Sequence, residues 1–340
     1  MNTKQVPLVS VVILNCNGKK LLEKCLFSVL NSGYDDVEVI VVDNASVDGS
    51  VDYVKQKFGE DPRLKIVQND SNCGVAEGHN IGINLSRGKY VAFLDNDTKI
   101  SSNWIGELAS VLEGDSTVAA VQGKIFFMDN PDFFDSTGGF IDYYGVSCER
   151  GNRKKDVGQF ENVTEVFHSK CSAMMVRRSV LDEVGLFDSL YFTHYDDTDI
   201  CWRMWLRGYR VLYVPSTSVL HNVSFTAIHL RLDQVYFLAK NCITTLLKNY
   251  ERKNLIKYLS GFLMLELSRS FFYFFKRDRR ALSLVRAMIW NLVNFKKIWK
   301  VRLDIQHNIR KVSDRRIMDR LMIRPPTLFV RFLHRTVDCK

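Results

Sequence analysis

The first 225 residues alternate short β-branched apolar runs with longer amphipathic stretches, and this pattern narrows the possible folds more than any other feature. Val9-Ser10-Val11-Val12-Ile13-Leu14 reads as a buried strand and Leu21 to Leu30 as a helix. Glu38 to Asp43 is a second strand, Val51 to Phe58 a second helix, and Leu64 to Val67 a third strand. Gly78 to Ser86 predicts another helix, and the strand from Tyr90 follows it. Strands apolar on both faces and spaced by helices predict an α/β fold, Rossmann-like, with a mostly parallel sheet flanked by helices. Ligands of such sheets bind at the carboxyl ends of the strands. The polar residues that close these strands are therefore where chemistry is expected.

The strand Lys89-Tyr90-Val91-Ala92-Phe93-Leu94 closes on Asp95-Asn96-Asp97. Side chains two apart on a strand point the same way, so the two carboxylates can face one spot. Such a pair resists ionising together unless a cation lies between them. Mg²⁺ takes one or two carboxylates plus substrate phosphates. Asp-Asn-Asp also reads as a polar turn after a buried strand. The second strand closes on Asp43, placed to accept hydrogen bonds from a base or ribose, while Asp48 or Ser50 can cap the next helix. Glycines at 74, 78 and 82 lie four apart, a smooth helical strip suited either to a ligand or to tight packing. The surrounding run is neither G-x-G-x-x-G nor a P-loop, so neither a dinucleotide site nor a kinase is supported.

Farther on, Asp196-Asp197-Thr198-Asp199 precedes a helix that Gly208 should end at its C′ position. Three acids exceed what capping needs, and one could act as a general base. A strand from Tyr209 to Val214, then Pro215, leads to His221; a lone histidine after a strand is usually structural, but neutral imidazole is also a common metal ligand. Residues 122 to 165 show little periodicity and read as a long irregular segment, where Phe133, Phe134, Phe140, Tyr143 and Tyr144 could stack on a sugar or lipid or simply pack locally.

The net charge of +9 hides an imbalance. Residues 226 to 340 hold 25 Lys and Arg against 8 Asp and Glu, whereas residues 1 to 225 hold 22 against 30. This suggests two functional parts, 1–225 and a basic, amphipathic helical part, 226–340, the basic one facing something anionic. In the second part, Ser270-Phe271-Phe272-Tyr273-Phe274-Phe275-Lys276-Arg277 suits a helix lying in a membrane interface, a buried face against the rest of the chain, or a second subunit. No recognition motif for nucleic acid accompanies the charge. The N-terminus lacks a signal peptide's apolar region, and no uncharged run has the length of a spanning helix. The eight scattered cysteines read as reduced residues of a cytoplasmic protein.

In order along the chain, Val9 to Gly18, Val42 to Ser50, Asn69 to Gly82, Phe93 to Asp97, Cys171 to Arg178 and Tyr195 to His221 resemble the GT-A glycosyltransferases of family 2. Within that family the likeness is to rhamnosyltransferase-like members, and it spans roughly residues 7 to 225. The resemblance implies an inverting transfer of a sugar, rhamnose from dTDP-rhamnose or a sugar from a UDP donor, to a glycan or lipid-linked acceptor in cell-surface polysaccharide synthesis. It implies that Asn15, Asp43, Asn72, Gly74, Asn80 and Asp95 bind the nucleotide sugar. Asp97 and His221 then match ligands of Mg²⁺ or Mn²⁺. Asp197 matches the catalytic base, with Asp196 and Asp199 toward the acceptor; Asp196 stands where the family has Glu. The basic aromatic tail, outside the resemblance, is expected to place the chain peripherally on the inner face of the cytoplasmic membrane or to join a homodimer. The competing function is a catalytically weak sugar-nucleotide- or membrane-binding scaffold of the same fold, against which the carboxylates at 95, 97 and 197 weigh.

Overall fold

The computed structural model describes residues 6–223 and 233–324. The expected boundary at residue 225, the ends of the helical part (226–232 and 325–340) and the first five residues lie outside the described residues.

The predicted alternation is present. Strands β1 (Val9–Asn15), β2 (Val37–Asp43), β3 (Leu64–Gln68) and β4 (Tyr90–Asp95) alternate with helices α1 (Lys19–Leu30), α2 (Ser50–Phe58) and α3 (Gly74–Leu85). β5 (Thr98–Ile100), α4 (Trp104–Gly114), β6 (Val118–Phe127), β7 (Asn130–Ser136), β8 (Gly139–Asp142), β9 (Ser147–Glu149) and β10 (Thr164–Glu165) follow. Next come β11 (Ala173–Arg177), α5 (Arg178–Val184), α6 (Asp196–Arg207) and β12 (Arg210–His221). The helical part comprises α7 (Gln234–Asn249), α8 (Arg252–Phe275), α9 (Arg280–Val293), α10 (Phe295–Asp304) and α11 (Asp314–Leu321), closing on the short β13 (Met322–Ile323).

The main sheet has the order β10-β12-β6-β11-β4-β1-β2-β3. β1 to β4 are mutually parallel, β6 and β12 run parallel to each other, and β11 is antiparallel to both β4 and β6. This reversal matters for function. β11 begins beside the end of β4, with Ala173 opposite Leu94. Residues 170–172 therefore reach the same edge as Asp95.

Period-two alternation splits β1 between two cores. Val9, Val11 and Ile13 pack on α1 and α4, whereas Val12 and Leu14 face α3 and the helical part. The second core also takes in Trp202 of α6, Leu246 of α7, Phe262 of α8 and Ile298 of α10. The helical part is thus built onto the sheet's own core.

Residues 122–165 depart from expectation. They are not irregular: they contain most of β6 and the strands β7 to β10. Two register shifts in the β6–β7 pair break the period-two pattern that would have revealed them. Their aromatic residues pack rather than line a site. Phe134 is fully buried and stacks on Phe126, while Tyr143 and Tyr144 lie against Tyr258 of α8. The cysteines also differ in one respect. Cys16, Cys25, Cys73, Cys171, Cys201 and Cys242 are free, but Cys148 is disulfide-bonded. Singly scattered cysteines carry no sequence signal of such a pairing.

The glycine strip on α3 serves close packing. A Cβ at Gly78 would lie 2.4 Å from Leu14 Cδ1, and one at Gly82 would lie 2.2 Å from Val12 Cγ1.

Candidate active site

The carboxyl edge of the sheet carries a cavity of about 430 Å³. Asp95, Asn96, Lys170, Cys171, His194, Asp197 and His221 are among its lining residues.

His221 and the acidic turn are far apart in sequence, and strand pairing joins them. β12 runs antiparallel to β5 with His221 opposite Thr98, and the Asn222 amide donates to the Asp97 carbonyl at 2.9 Å. β12 passes Pro215 through a register shift between Tyr213 and Ser218, so its missing N–H costs no ladder bond. His221 is consequently the last strand residue, later than the predicted strand end at Val214. Ligand atoms of Asp95, Asp97 and His221 lie within 4.8 Å of one another. His221 Nε2 is 3.4 Å from Asp97 Oδ1. Burial first, and Asp97 second, push the Asp95 carboxyl up to about 6. This crowded anionic pair with one imidazole is a donor set suited to a hard divalent cation.

Asp135 of β7 fixes the imidazole. His221 Nδ1 donates to Asp135 Oδ2 at 2.8 Å, which leaves Nε2 toward Asp97. The same oxygen accepts from Lys170 Nζ at 2.6 Å. Carboxylate-to-histidine contacts of this kind set the tautomer of metal-binding histidines. Burial pulls the His221 pKa down, but Asp135 and Asp97 outweigh it and hold it at about 9. Asp135 is shifted the other way: Lys170 and His221 overcome burial and keep its carboxyl well below the usual range.

On the opposite wall, α6 begins with Asp196 and Asp197 in its first turn, one turn earlier than the predicted start at Ile200. Gly208 ends the helix in the left-handed region, φ +104°, as its position predicts. Asp197 Oδ1 accepts from the Thr198 amide at 2.6 Å. Asp196 is buried, and burial followed by Asp197 raises its pKa well above the carboxylate range. Two residues just upstream, His194 and Tyr195, have φ of +63° and +66°. Asn241 of α7 holds that bend, its Nδ2 donating to the carbonyls of Thr193 (2.6 Å) and His194 (2.8 Å).

The other expected residues divide into two groups. Asn72 and Gly74 line the cavity, and the Asn72 side chain accepts from the Gly74 amide at 2.9 Å. Gly74 (φ +85°) lies against the Phe192 backbone, where a Cβ would meet the carbonyl at 2.6 Å. Asn15 and Asp43 are buried beneath the cavity instead. Asn15 Nδ2 donates to Asp43 Oδ1, and Asn15 Oδ1 accepts from Asn96 Nδ2, both at 2.6 Å. Asp43 also accepts from the Ser46 amide and hydroxyl. Asn80 is a clamp, exchanging two hydrogen bonds with the Phe187 backbone. Asp199 points away from the cavity into a buried network with Arg203, Lys248 and Asn249. Lys248 and Arg203 outweigh its burial and keep its pKa low. Asp48 serves as a cap, accepting from the amides of Ser50 and Lys19.

Sequence reasoning missed Asp135, Lys170 and Asn241. Lys170 directly precedes the family-like segment Cys171 to Arg178, which is the one sequence signal that marks it. Asp135 and Asn241 carry no local signal.

A second donor group comprises Cys171 and Asp196, which line the cavity, and the buried His79, with ligand atoms also within 4.8 Å of one another. Burial holds His79 down to about 3 and the Cys171 thiol well above its usual value. This soft, neutral set suits Mg²⁺ or Mn²⁺ less than the Asp95–Asp97–His221 group does.

Residues 10–185 match the family model of Glycosyl transferase family 2. An uncharacterized glycosyltransferase of Haemophilus influenzae is 30% identical over 115 residues, which cover 34% of this chain and 36% of its own length. Glycosyltransferase GlyG of Streptococcus pneumoniae is 25% identical over 222 residues, 63% of this chain and 70% of its own. Among solved structures, GalNAc-T7 with UDP, GalNAc and Mn²⁺ superposes with a TM-score of 0.59 at 19% identity, covering 76% of this chain and 50% of its own. The mannosyltransferase PcManGT from Pyrobaculum calidifontis, in complex with GDP-Man and Mn²⁺, gives 0.54 at 17%, covering 89% and 81%. The chain thus spans about a third of the first relative's length and half of GalNAc-T7, and the two structures establish likeness of fold.

Proposed function

This chain belongs to glycosyl transferase family 2, and on that basis we propose that it moves a sugar from a nucleotide-diphosphate donor to a hydroxyl of a glycan or lipid-linked acceptor, with inversion. The reading rests on one observation: Asp95, His221 and Asp197 line a single cavity at the sheet's carboxyl edge, with the buried Asp97 within ligand distance of Asp95 and His221.

Asp97 and His221, beside Asp95, are the residues that would hold Mg²⁺ or Mn²⁺, which supplies positive charge to the departing diphosphate. Asn72 and Gly74 bind the nucleotide from the cavity side, and Asn15, Asp43 and Asn80 are the other residues of the nucleotide-sugar site. Asp197 accepts the acceptor hydroxyl's proton as that oxygen bonds to the anomeric carbon. The bond from that carbon to the diphosphate oxygen breaks, and the nucleoside diphosphate leaves. Asp196 borders the acceptor, and Asp199 steadies α6. Lys170, whose charge Asp135 partly offsets, lies where it can attract donor phosphates. The finer reading is rhamnose from dTDP-rhamnose, with UDP-sugars as the next donors to try, in cell-surface polysaccharide synthesis at the inner face of the membrane.

Thermal shift across sugar nucleotides, with and without Mn²⁺, identifies the donor, because a ligand of the native state raises its apparent stability. Asp197→Asn should then retain donor and Mn²⁺ binding but transfer almost no sugar. Near-normal turnover by that variant would remove Asp197 from the role of base.

A further inference from the structure

Three successive helices turn apolar side chains outward. On α8, Met264, Leu267, Phe271, Phe274 and Phe275 recur every three or four residues and are 54% to 70% exposed. On α9, Leu282, Val285, Ile289 and Leu292 form a similar stripe, while Leu284, Ala287 and Asn291 on the other side are buried. Phe295, Trp299 and Leu303 repeat the pattern on α10. A surface helix ordinarily points its apolar stripe at the core. Outward apolar stripes on successive, mutually contacting helices mark a surface that something else covers.

Charge identifies the cover. Residues 252 to 303 contain 13 Lys and Arg and only two acids, Glu266 and Asp278. Both acids are ion-paired, with Arg269 and Arg280. Lys276, Arg277, Lys296, Lys297 and Lys300 are exposed at the ends of the stripes. No helix among the described residues is long and apolar enough to cross a membrane. We infer that α8, α9 and α10 form an insertion surface that lies in the interface of an anionic bilayer, its stripes among the acyl chains and its cations on lipid phosphates. Such in-plane helices combine an apolar face with Lys and Arg. A second copy of the chain suits this face poorly, since pairing would oppose two strongly cationic surfaces. Delivery of a lipid-carried acceptor here rests on the proposed transfer reaction; the insertion surface does not.

The test is flotation of the full chain with vesicles of phosphatidylglycerol and phosphatidylcholine against phosphatidylcholine alone. The chain should float with the anionic vesicles and release as salt rises. Replacing Phe271, Phe274 and Phe275 together by Ser should weaken binding by more than about tenfold. Lys296→Glu with Lys297→Glu should weaken it by at least about fivefold per charge. Donor binding, read separately by thermal shift, should not change in either variant, so failure of the transfer reading would be visible apart from failure of this one. Absence of vesicle binding, or an unaffected triple-Ser variant, would overturn the inference. So would a dimer that the triple-Ser variant dissociates in a chain that ignores vesicles.

Discussion

Asn241 offers the sharpest test of how the helical part serves the site. Its Nδ2 is the donor for the carbonyls of Thr193 and His194, and the residue is fully buried. The bend it holds contains two left-handed non-glycine residues, at a cost of roughly 1–2 kcal/mol each. Asn241→Ala removes the donor and leaves two carbonyls short of a partner. At about 1–3 kcal/mol for each unsatisfied buried group, and with some relaxation, the loss should be about 2–4 kcal/mol. Asn241→Asp keeps the shape but turns a carboxylate oxygen toward two carbonyl oxygens, so it should destabilise at least as much. α6 starts two residues after His194, and relaxation of the bend therefore shifts Asp197. Turnover should fall by about tenfold or more, because small misplacements of reacting groups are costly. Donor binding, which relies on the other wall, should change little. Urea unfolding gives the stability difference, and steady-state transfer separates kcat from KM. An Asn241→Asp protein with the wild-type unfolding midpoint and turnover would refute the proposed donor role.

Other outcomes follow from the same geometry. Asp135→Asn keeps an oxygen for His221 and Lys170 but loses the charge; Mn²⁺ affinity, measured calorimetrically with a nucleoside diphosphate present, should drop by about 10- to 100-fold. Unchanged affinity would show that Asp135 does not orient the imidazole. Lys248 is fully buried and bridges Asp188 and Asp199. Lys248→Met should cost about 3 kcal/mol in chemical denaturation, since it leaves half-buried Asp188 without its cation and buried Asp199 with Arg203 as its one remaining cation; a loss under about 1 kcal/mol would rule out that function for the network. His79 is neutral in the fold, with burial holding it near 3 against an ordinary 6.5. As pH falls below that ordinary value the unfolded chain takes the proton first, so stability declines on acidification. Between pH 7 and pH 5 the decline should be about 2 kcal/mol. His79→Phe should flatten that part of the stability-versus-pH curve, and an unchanged slope would assign the acid sensitivity to other groups.

Much of the site is legible in local pattern. The β-branched runs predict β1 to β4, and the acids that close them fall at the carboxyl edge, because side-chain period and strand direction are local properties. Gly208 is equally plain, since a helix that stops in the left-handed region favours glycine. The strands of residues 122–165 escape because register shifts erase their alternation. Asp135 escapes with them: it lies 35 residues from Lys170 and 86 from His221, and nothing nearby marks it as their partner. Asp199 misleads in the opposite way. It adjoins Asp196 and Asp197 in sequence, yet the helical turn carries it to a face that meets Lys248.

What the residues alone establish here is the acids at the ends of elements: carboxylates at 43, 95 and 97 where strands close and at 197 where a helix opens, in an order that matches a sugar-transferring family. Those groups are set by neighbours a few positions away, so pattern suffices. Three-dimensional packing settles which of them meet. Pairing of β12 with β5 brings His221 to Asp97, and reversal of β11 brings Lys170 to the edge where β4 ends. Packing of α7 on the bend supplies the donor that holds Asp196 and Asp197 in place. It also decides which way an apolar stripe looks. The periodicity of α8 to α10 is plain in the sequence, but whether its face is inward or outward depends on which side of each helix the core has already taken.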